Sequence, residues 1–233
     1  MLTSVVDSAL NEVTFLKREC LSLVDDSLAL CPPIQGGQYP DAFRMVVTPF
    51  LYAVWERCFT TNFAIMAKIL HHESSSPSVL SSPQAALWLQ AEPFFDSFST
   101  KIRDGISPGK RKSIRSGKYK ALTEFINKYR GWECGGMNSS IDTSSLVMTF
   151  SNVNCEVLDV NAEAIGLNLL PEFLSFRKSV GRLEDLVGRR NDIGHGTMSR
   201  PPKNREFQEL VDLTKNHLIA EFCDVVQYWI IFR

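Results

Sequence analysis

The sequence predicts an all-α bundle. Apolar residues recur at intervals of three and four along most of its 233 residues, while strand-like alternation is rare. Proline, glycine and serine clusters cut the chain into pieces of helix length. An apolar fraction of 44% is enough to build a core without metals or disulfides.

The first helix is expected from about Thr3 to Leu30, with Val6, Leu10, Val13, Leu16, Leu23 and Val24 turned inward. Pro32-Pro33 and Gly36-Gly37 end it in a loop. Asp41 is placed to cap a second helix reaching about His71, with a kink or a delayed start at Pro49. The stretch Ser74–Pro83 reads as a surface loop. A third helix is expected over Gln84–Ile106, bent at Pro93, and a fourth over Ser113–Trp132. Gly135–Ser145 is polar, and Leu146–Phe150 is the one run suited to a strand. Ser151 or Asn152 is then expected to cap a helix ending near Gly166, with Val157, Leu158 and Ile165 buried. One helix follows over Pro171–Arg190. The last spans Glu206–Ile230 and buries Phe207, Leu210, Val211, Leu218, Phe222, Val225, Val226 and Trp229.

A net charge of −1 argues against a protein coated along its whole surface by nucleic acid. Cys20, Cys31, Cys58, Cys134, Cys155 and Cys223 are scattered, with no Cys-x-x-Cys pair and no zinc-like cysteine–histidine spacing. With no basic head followed by an apolar stretch at the N-terminus, they read as reduced thiols of a cytoplasmic protein. Glu56, Arg57 and Lys68 interrupt the longest apolar runs, so no membrane span is expected.

The candidate chemistry sits in Leu186-Val187-Gly188-Arg189-Arg190-Asn191-Asp192-Ile193-Gly194-His195-Gly196. Histidine exchanges protons near neutral pH, and the planar arginine fork suits a phosphate. A continuous helix sets Arg190 and His195 roughly 140° apart. A helix ending near 190–193, with glycine in a left-handed turn beside the histidine, would bring His195 back toward the arginine. The reaction this fits is RNA cleavage by attack of the 2′-hydroxyl on the adjacent phosphorus. His195 would move the proton, Arg190 would stabilise the added negative charge, and Asn191 would position the substrate or the imidazole. No metal and no cofactor is called for. The same residues also admit plainer roles: Arg190 paired with Glu184 or Asp185, and His195 resting on a helix dipole.

Leu183 through Gly196, with leucine–valine leading into Arg-Asn, three further residues and His-Gly, resembles the signature of the HEPN superfamily. The likeness is greatest to its RiboL-PSP-HEPN and MAE-type nuclease families. Phe50-Leu51-Tyr52-Ala53-Val54-Trp55-Glu56 is similar to their aromatic Tyr-x-x-Trp/Leu-Glu segment, and Ser151-Asn152 followed by a helix ending in Gly166-Leu167 to another. The resemblance implies one HEPN-like domain over residues 1–233, with its core at about 41–72 and 151–233 and an insertion-like helical segment at 74–135. It implies a homodimer whose two motifs face a shared cleft, metal-independent endoribonuclease activity, and service as a toxin or in phage defence beside an antitoxin or other partner. Glu56 matches the acidic position that would orient Arg190 or His195; an ordinary solvent-facing or salt-bridged glutamate is its alternative. A tyrosine two residues after the histidine, modified in one toxin group, is here Thr197, so that regulation is not carried over. The rival reading is a non-catalytic module that binds RNA or a partner protein.

Lys110, Arg111, Lys112, Arg115, Lys118, Lys120, Lys128 and Arg130 form a basic stretch opposed only by Glu124 and interleaved with Tyr119, Phe125, Tyr129 and Trp132. Such a helix can track RNA phosphates and offer its rings for base stacking; alternatively it is a solvated face with its aromatics in the core. His71-His72-Glu73 lacks a further metal ligand at useful spacing and reads as an exposed helix end. His217 falls on a polar face of the last helix.

Overall fold

The computed structural model describes residues 2–34, 36–74, 77–104, 111–135, 146–149, 152–197 and 200–233; the side chains of residues 2, 3, 79, 101–104 and 111–118 lie outside the description. Among the described residues the structure is helical, without a strand. In order the helices are α1 (Leu2–Ala29), α2 (Asp41–Glu73), α3 (Ser82–Gln90), α4 (Pro93–Asp104), α5 (Arg111–Glu133), α6 (Cys155–Ile165), α7 (Pro171–Ser179), α8 (Leu183–Gly194), α9 (Asn204–Asp212) and α10 (Phe222–Phe232). A π-helical stretch, Leu213–Glu221, joins α9 to α10. Contacts divide the chain into two compact units, Met1–Ile69 with Val147–Arg233, and Leu70–Leu146.

In the first unit α1 lies against α10 and the π-helical stretch, and α7 against α10. Its centre is aromatic: Trp55, Phe59 and Phe63 of α2 and Phe176 of α7 all meet Phe222, with Trp55 and Phe176 at 5.4 and 5.3 Å between ring centroids. The apolar stripe of α1 buries Val13, Leu16 and Val24, whereas Val6, Leu10 and Leu23 are only half-buried. Ala9 and Cys20 complete the stripe, because small side chains let α1 approach closely. In the second unit, α4 and α5 pack through Phe98 and Phe125, 4.4 Å apart.

Local chemistry accounts for where elements start and stop. The helix α2 begins at Asp41, with no delay to Pro49. The Asp41 carboxylate does not cap it but pairs with Arg44, whose Nε also donates to the Pro202 carbonyl at 2.7 Å. The third predicted helix is two, because the chain breaks ahead of Pro93, which starts α4. The helix expected over Pro171–Arg190 is also two. Arg177 and Lys178 close α7, Glu184 and Asp185 open α8, and Gly181 lies between, so the charges suit two opposed dipole ends. Asn152 does not cap α6, and Ser151 lies outside the described residues; the cap is Asn154, which accepts the Val157 N–H at 2.9 Å. Gly166 ends α6 at φ +77°.

Residues 146–149 form no strand, and Phe150 lies outside the described residues. Asn161 supplies what a neighbouring strand would have given: Oδ1 accepts from the Met148 N–H at 3.0 Å and Nδ2 donates to its carbonyl at 2.7 Å. No helix among the described residues is long and apolar enough to cross a membrane.

Candidate functional site

The site grows from two residues of α2. Tyr52 and Trp55 are buried and lie three positions apart, on one face of the helix. They grip the backbone of one residue: the Tyr52 hydroxyl accepts the Val153 N–H at 2.7 Å, and the Trp55 indole N–H donates to the Val153 carbonyl at 3.1 Å. This fixes the linker ahead of α6, and with it Asn152. The Glu184 carboxylate of α8 accepts the Cys155 N–H at 2.9 Å, tying α8 to the same linker.

Arg190 enters this frame from α8. Its guanidinium carbon lies 5.0 Å from the centre of the Tyr52 ring. Its Nη1 donates to Asn191 Oδ1 at 2.9 Å and, more weakly, to Asn152 Oδ1 at 3.4 Å. All of these partners are neutral. Among the described residues Arg190 makes no ion pair, although it is half-buried; Arg44, Arg177 and Arg189, buried or half-buried in the same unit, each meet a carboxylate. The pairing of Arg190 with Glu184 or Asp185 is not formed, because Glu184 takes the Cys155 N–H and Asp185 takes Arg182. The arginine keeps a charge that no carboxylate among the described residues offsets, and its Nη2 and Nε make no hydrogen bond among them. A half-buried guanidinium of this kind favours an oxyanion.

Glu56 is half-buried one turn beyond Tyr52. It accepts from the Tyr52 hydroxyl at 3.5 Å and forms no ion pair with Arg190 among the described residues, so its reach to the arginine passes through the phenol. Burial raises the Tyr52 pKa above its ordinary value against the opposing Val153 hydrogen bond, and Glu56 adds to the rise while Arg190 opposes it. The phenol stays neutral at physiological pH and acts as a shelf and a hydrogen-bond relay.

His195 is placed otherwise than the glycine argument expects. The helix does not end at 190–193: α8 continues through Gly194, and the His195 N–H donates to Asn191 O at 2.8 Å. The left-handed residue is Gly196, at φ +68°. Its N–H meets Ile193 O at 3.1 Å and the Thr197 N–H meets Asp192 O at 2.9 Å, a Schellman closure in which His195 is the C-cap. The turn thus comes one residue too late to fold the imidazole back. His195 is exposed, with no hydrogen bond joining it to Arg190 among the described residues. On the helical path that α8 and its cap follow, positions 190 and 195 lie roughly 140° apart around the axis.

The basic helix α5 is described in part. Lys110 lies outside the described residues, as do the side chains of Arg111, Lys112, Arg115 and Lys118. Lys120, Lys128 and Arg130 are exposed on α5, and Lys128 approaches Glu124 at 3.6 Å. Its aromatics are mostly structural: Phe125 stacks on Phe98, Tyr129 on Phe125, and the Trp132 indole donates to Glu92 at 3.1 Å. Tyr119 alone of the four is exposed. At the end of α2, His71 is half-buried and accepts the Trp88 indole N–H at 3.4 Å, which corrects the expectation of an exposed pair; burial lowers its pKa. No cluster able to hold a metal is found among the described residues.

Tyr52 and Asn152 are the site residues that sequence reasoning did not assign to Arg190. A signal for Tyr52 existed in the Tyr-x-x-Trp spacing, but nothing local tied it to α8. No family model, curated protein or solved structure matches this chain.

Proposed function

We propose that this protein is a metal-independent endoribonuclease of HEPN type, working as a homodimer. Arg190 would clasp the scissile phosphate, Asn191 would hold the arginine and position the substrate, and His195 would move the proton. One observation carries the reading: the half-buried Arg190 guanidinium is oriented by Tyr52, Asn152 and Asn191, with no carboxylate among the described residues to neutralise it. Uncompensated charge at a partly desolvated position attracts the phosphorane more than the less charged ground state. The angular separation of Arg190 from His195 supports a shared site, in which the imidazole of one copy serves the arginine of another. Exposed Lys120 and Arg130 are candidates for further phosphate contacts.

The rival, RNA or partner-protein binding without cleavage, is favoured by that same separation if no second copy completes the site. The test incubates purified protein with single-stranded RNA in excess chelator. Cleavage leaving 2′,3′-cyclic phosphate ends is expected, falling about 10²–10⁴-fold in His195→Ala and comparably in Arg190→Ala. Mixing the two inactive variants should restore part of the activity through mixed dimers. RNA retained intact by a dimeric protein would decide for the rival.

A further inference from the structure

A second candidate site lies elsewhere on the first unit, where α9 passes into the π-helical stretch. Ser179, Arg182, Arg205, Gln208, Glu209, Asp212, Leu213 and His217 surround a cavity of about 350 Å³ there, within the usual size range of small-ligand sites. π-Helical geometry is rare and concentrates at functional positions. Here the widened turns run Leu213–Glu221, and both Leu213 and His217 of the stretch face the cavity.

Two features of the wall are polar constructions. Arg182 and Arg205 come from different elements and converge on one carboxylate: Arg182 Nη1 meets Glu209 Oε2 at 2.7 Å, and Arg205 Nε meets Glu209 Oε1 at 3.0 Å. Both arginines hold the Glu209 carboxyl below its ordinary pKa. On the π-helical stretch, His217 Nδ1 is bonded to Glu221 Oε2 at 2.8 Å, and the Ser179 hydroxyl donates to the same oxygen at 2.9 Å. A ring held at Nδ1 presents its other nitrogen, Nε2, in a fixed direction.

We propose that this cavity binds a phosphate monoester, its phosphoryl oxygens taken by Arg182 and Arg205 with Glu209 displaced, and its body lodged against His217 and Gln208. The Glu209 carboxylate occupies the place between the two guanidiniums where the phosphate oxygens belong. A phosphate carries more charge and offers three acceptor oxygens, so it competes with a single carboxylate. Asp212, bonded to the Asn216 amide at 2.6 Å, is the acid remaining on the wall, and its repulsion confines the phosphate to the arginine end. Asp185 also meets this guanidinium, 3.2 Å from Arg182 Nε. The inference does not rest on the nuclease reading.

The test titrates the whole protein with ribose 5-phosphate, and in parallel with inorganic phosphate, following the His217 ring resonances and the heat of binding. Saturable shifts of the His217 ring are expected, weakened at least tenfold by Arg182→Ala. Glu209→Gln should tighten binding severalfold, since it removes the competing charge; a glutamate with a purely structural role would not do this. Tighter binding of the ester than of inorganic phosphate shows that the body of the ligand is held too, while equal affinities show a site for the phosphoryl group alone. A linear, unsaturable response in both wild type and Glu209→Gln, with circular dichroism showing intact folds, overturns the proposal.

Discussion

Arg190 shows how a charge is kept available by what surrounds it. A guanidinium beside a carboxylate takes up an anion only by displacing that partner; one set over a ring and between amides is oriented with its charge still free. The Tyr52 ring does this for Arg190 while the Tyr52 hydroxyl secures the Val153 backbone. The two tasks separate by mutation. Tyr52→Phe keeps the shelf but leaves the buried Val153 N–H unpaired, so chemical denaturation should show a loss of about 1–3 kcal/mol with the anion affinity of Arg190 largely retained. Asn152→Ala removes one weak partner of the arginine and should lower RNA cleavage or binding a fewfold with little change in stability. A Tyr52→Phe variant as stable as wild type would show that the hydroxyl does not hold the linker.

At the scale of single elements, the ends of the helices decide more than their interiors. The exit of α8 depends on Gly196, whose φ of +68° disfavours any side chain although open space surrounds it. Gly196→Ala should therefore cost about 1–2 kcal/mol by thermal or chemical unfolding, from backbone strain alone. Because His195 is the residue just before this turn, the same change should reduce the proposed RNA cleavage more than it reduces RNA binding. The entry of α6 depends on Asn154, and Asn154→Ala should cost about 1 kcal/mol. Sequence patterns found these helices because capping residues and breakers are local signals. They missed the division between α7 and α8 because a single glycine in an apolar periodic run also fits one continuous helix. They missed the π-helical stretch because widening leaves the apolar spacing nearly unchanged.

For the molecule as a whole, the buried thiols report on folding. Cys20, Cys58, Cys155 and Cys223 are buried, whereas Cys134 is exposed. A thiol reagent should modify Cys134 of the native protein rapidly and the four buried residues only at the rate of unfolding. Burial pushes the Cys155 thiol up to about 11 from 9.0. The folded state therefore keeps a proton that the unfolded chain releases first. Its contribution to stability is complete below pH 9 and is lost as pH rises through 11. Denaturant midpoints of wild type and Cys155→Ala, compared from pH 8 to pH 11, should converge as pH rises. At the centre of the first unit, Phe222→Ala should cost about 3–5 kcal/mol, since four other aromatic side chains meet that ring.

By itself the sequence determined the helical class, most of the helices, and the Arg190–His195 motif with its glycines. The signals that mark a helix, its apolar spacing, caps and breakers, lie within a few residues of one another and are therefore written into neighbouring residues. Only the tertiary structure decided what Arg190 meets, because Tyr52 and Asn152 reach it from distant parts of the chain through packing. It also decided that His195 stays on the helical path. Gly194 and Gly196 were both able to turn the chain, and the hydrogen bonds of Gly196 and Thr197 to Ile193 and Asp192 select the later one. A glycine permits a left-handed turn wherever it stands, but the closing bonds of the folded helix fix which glycine takes it.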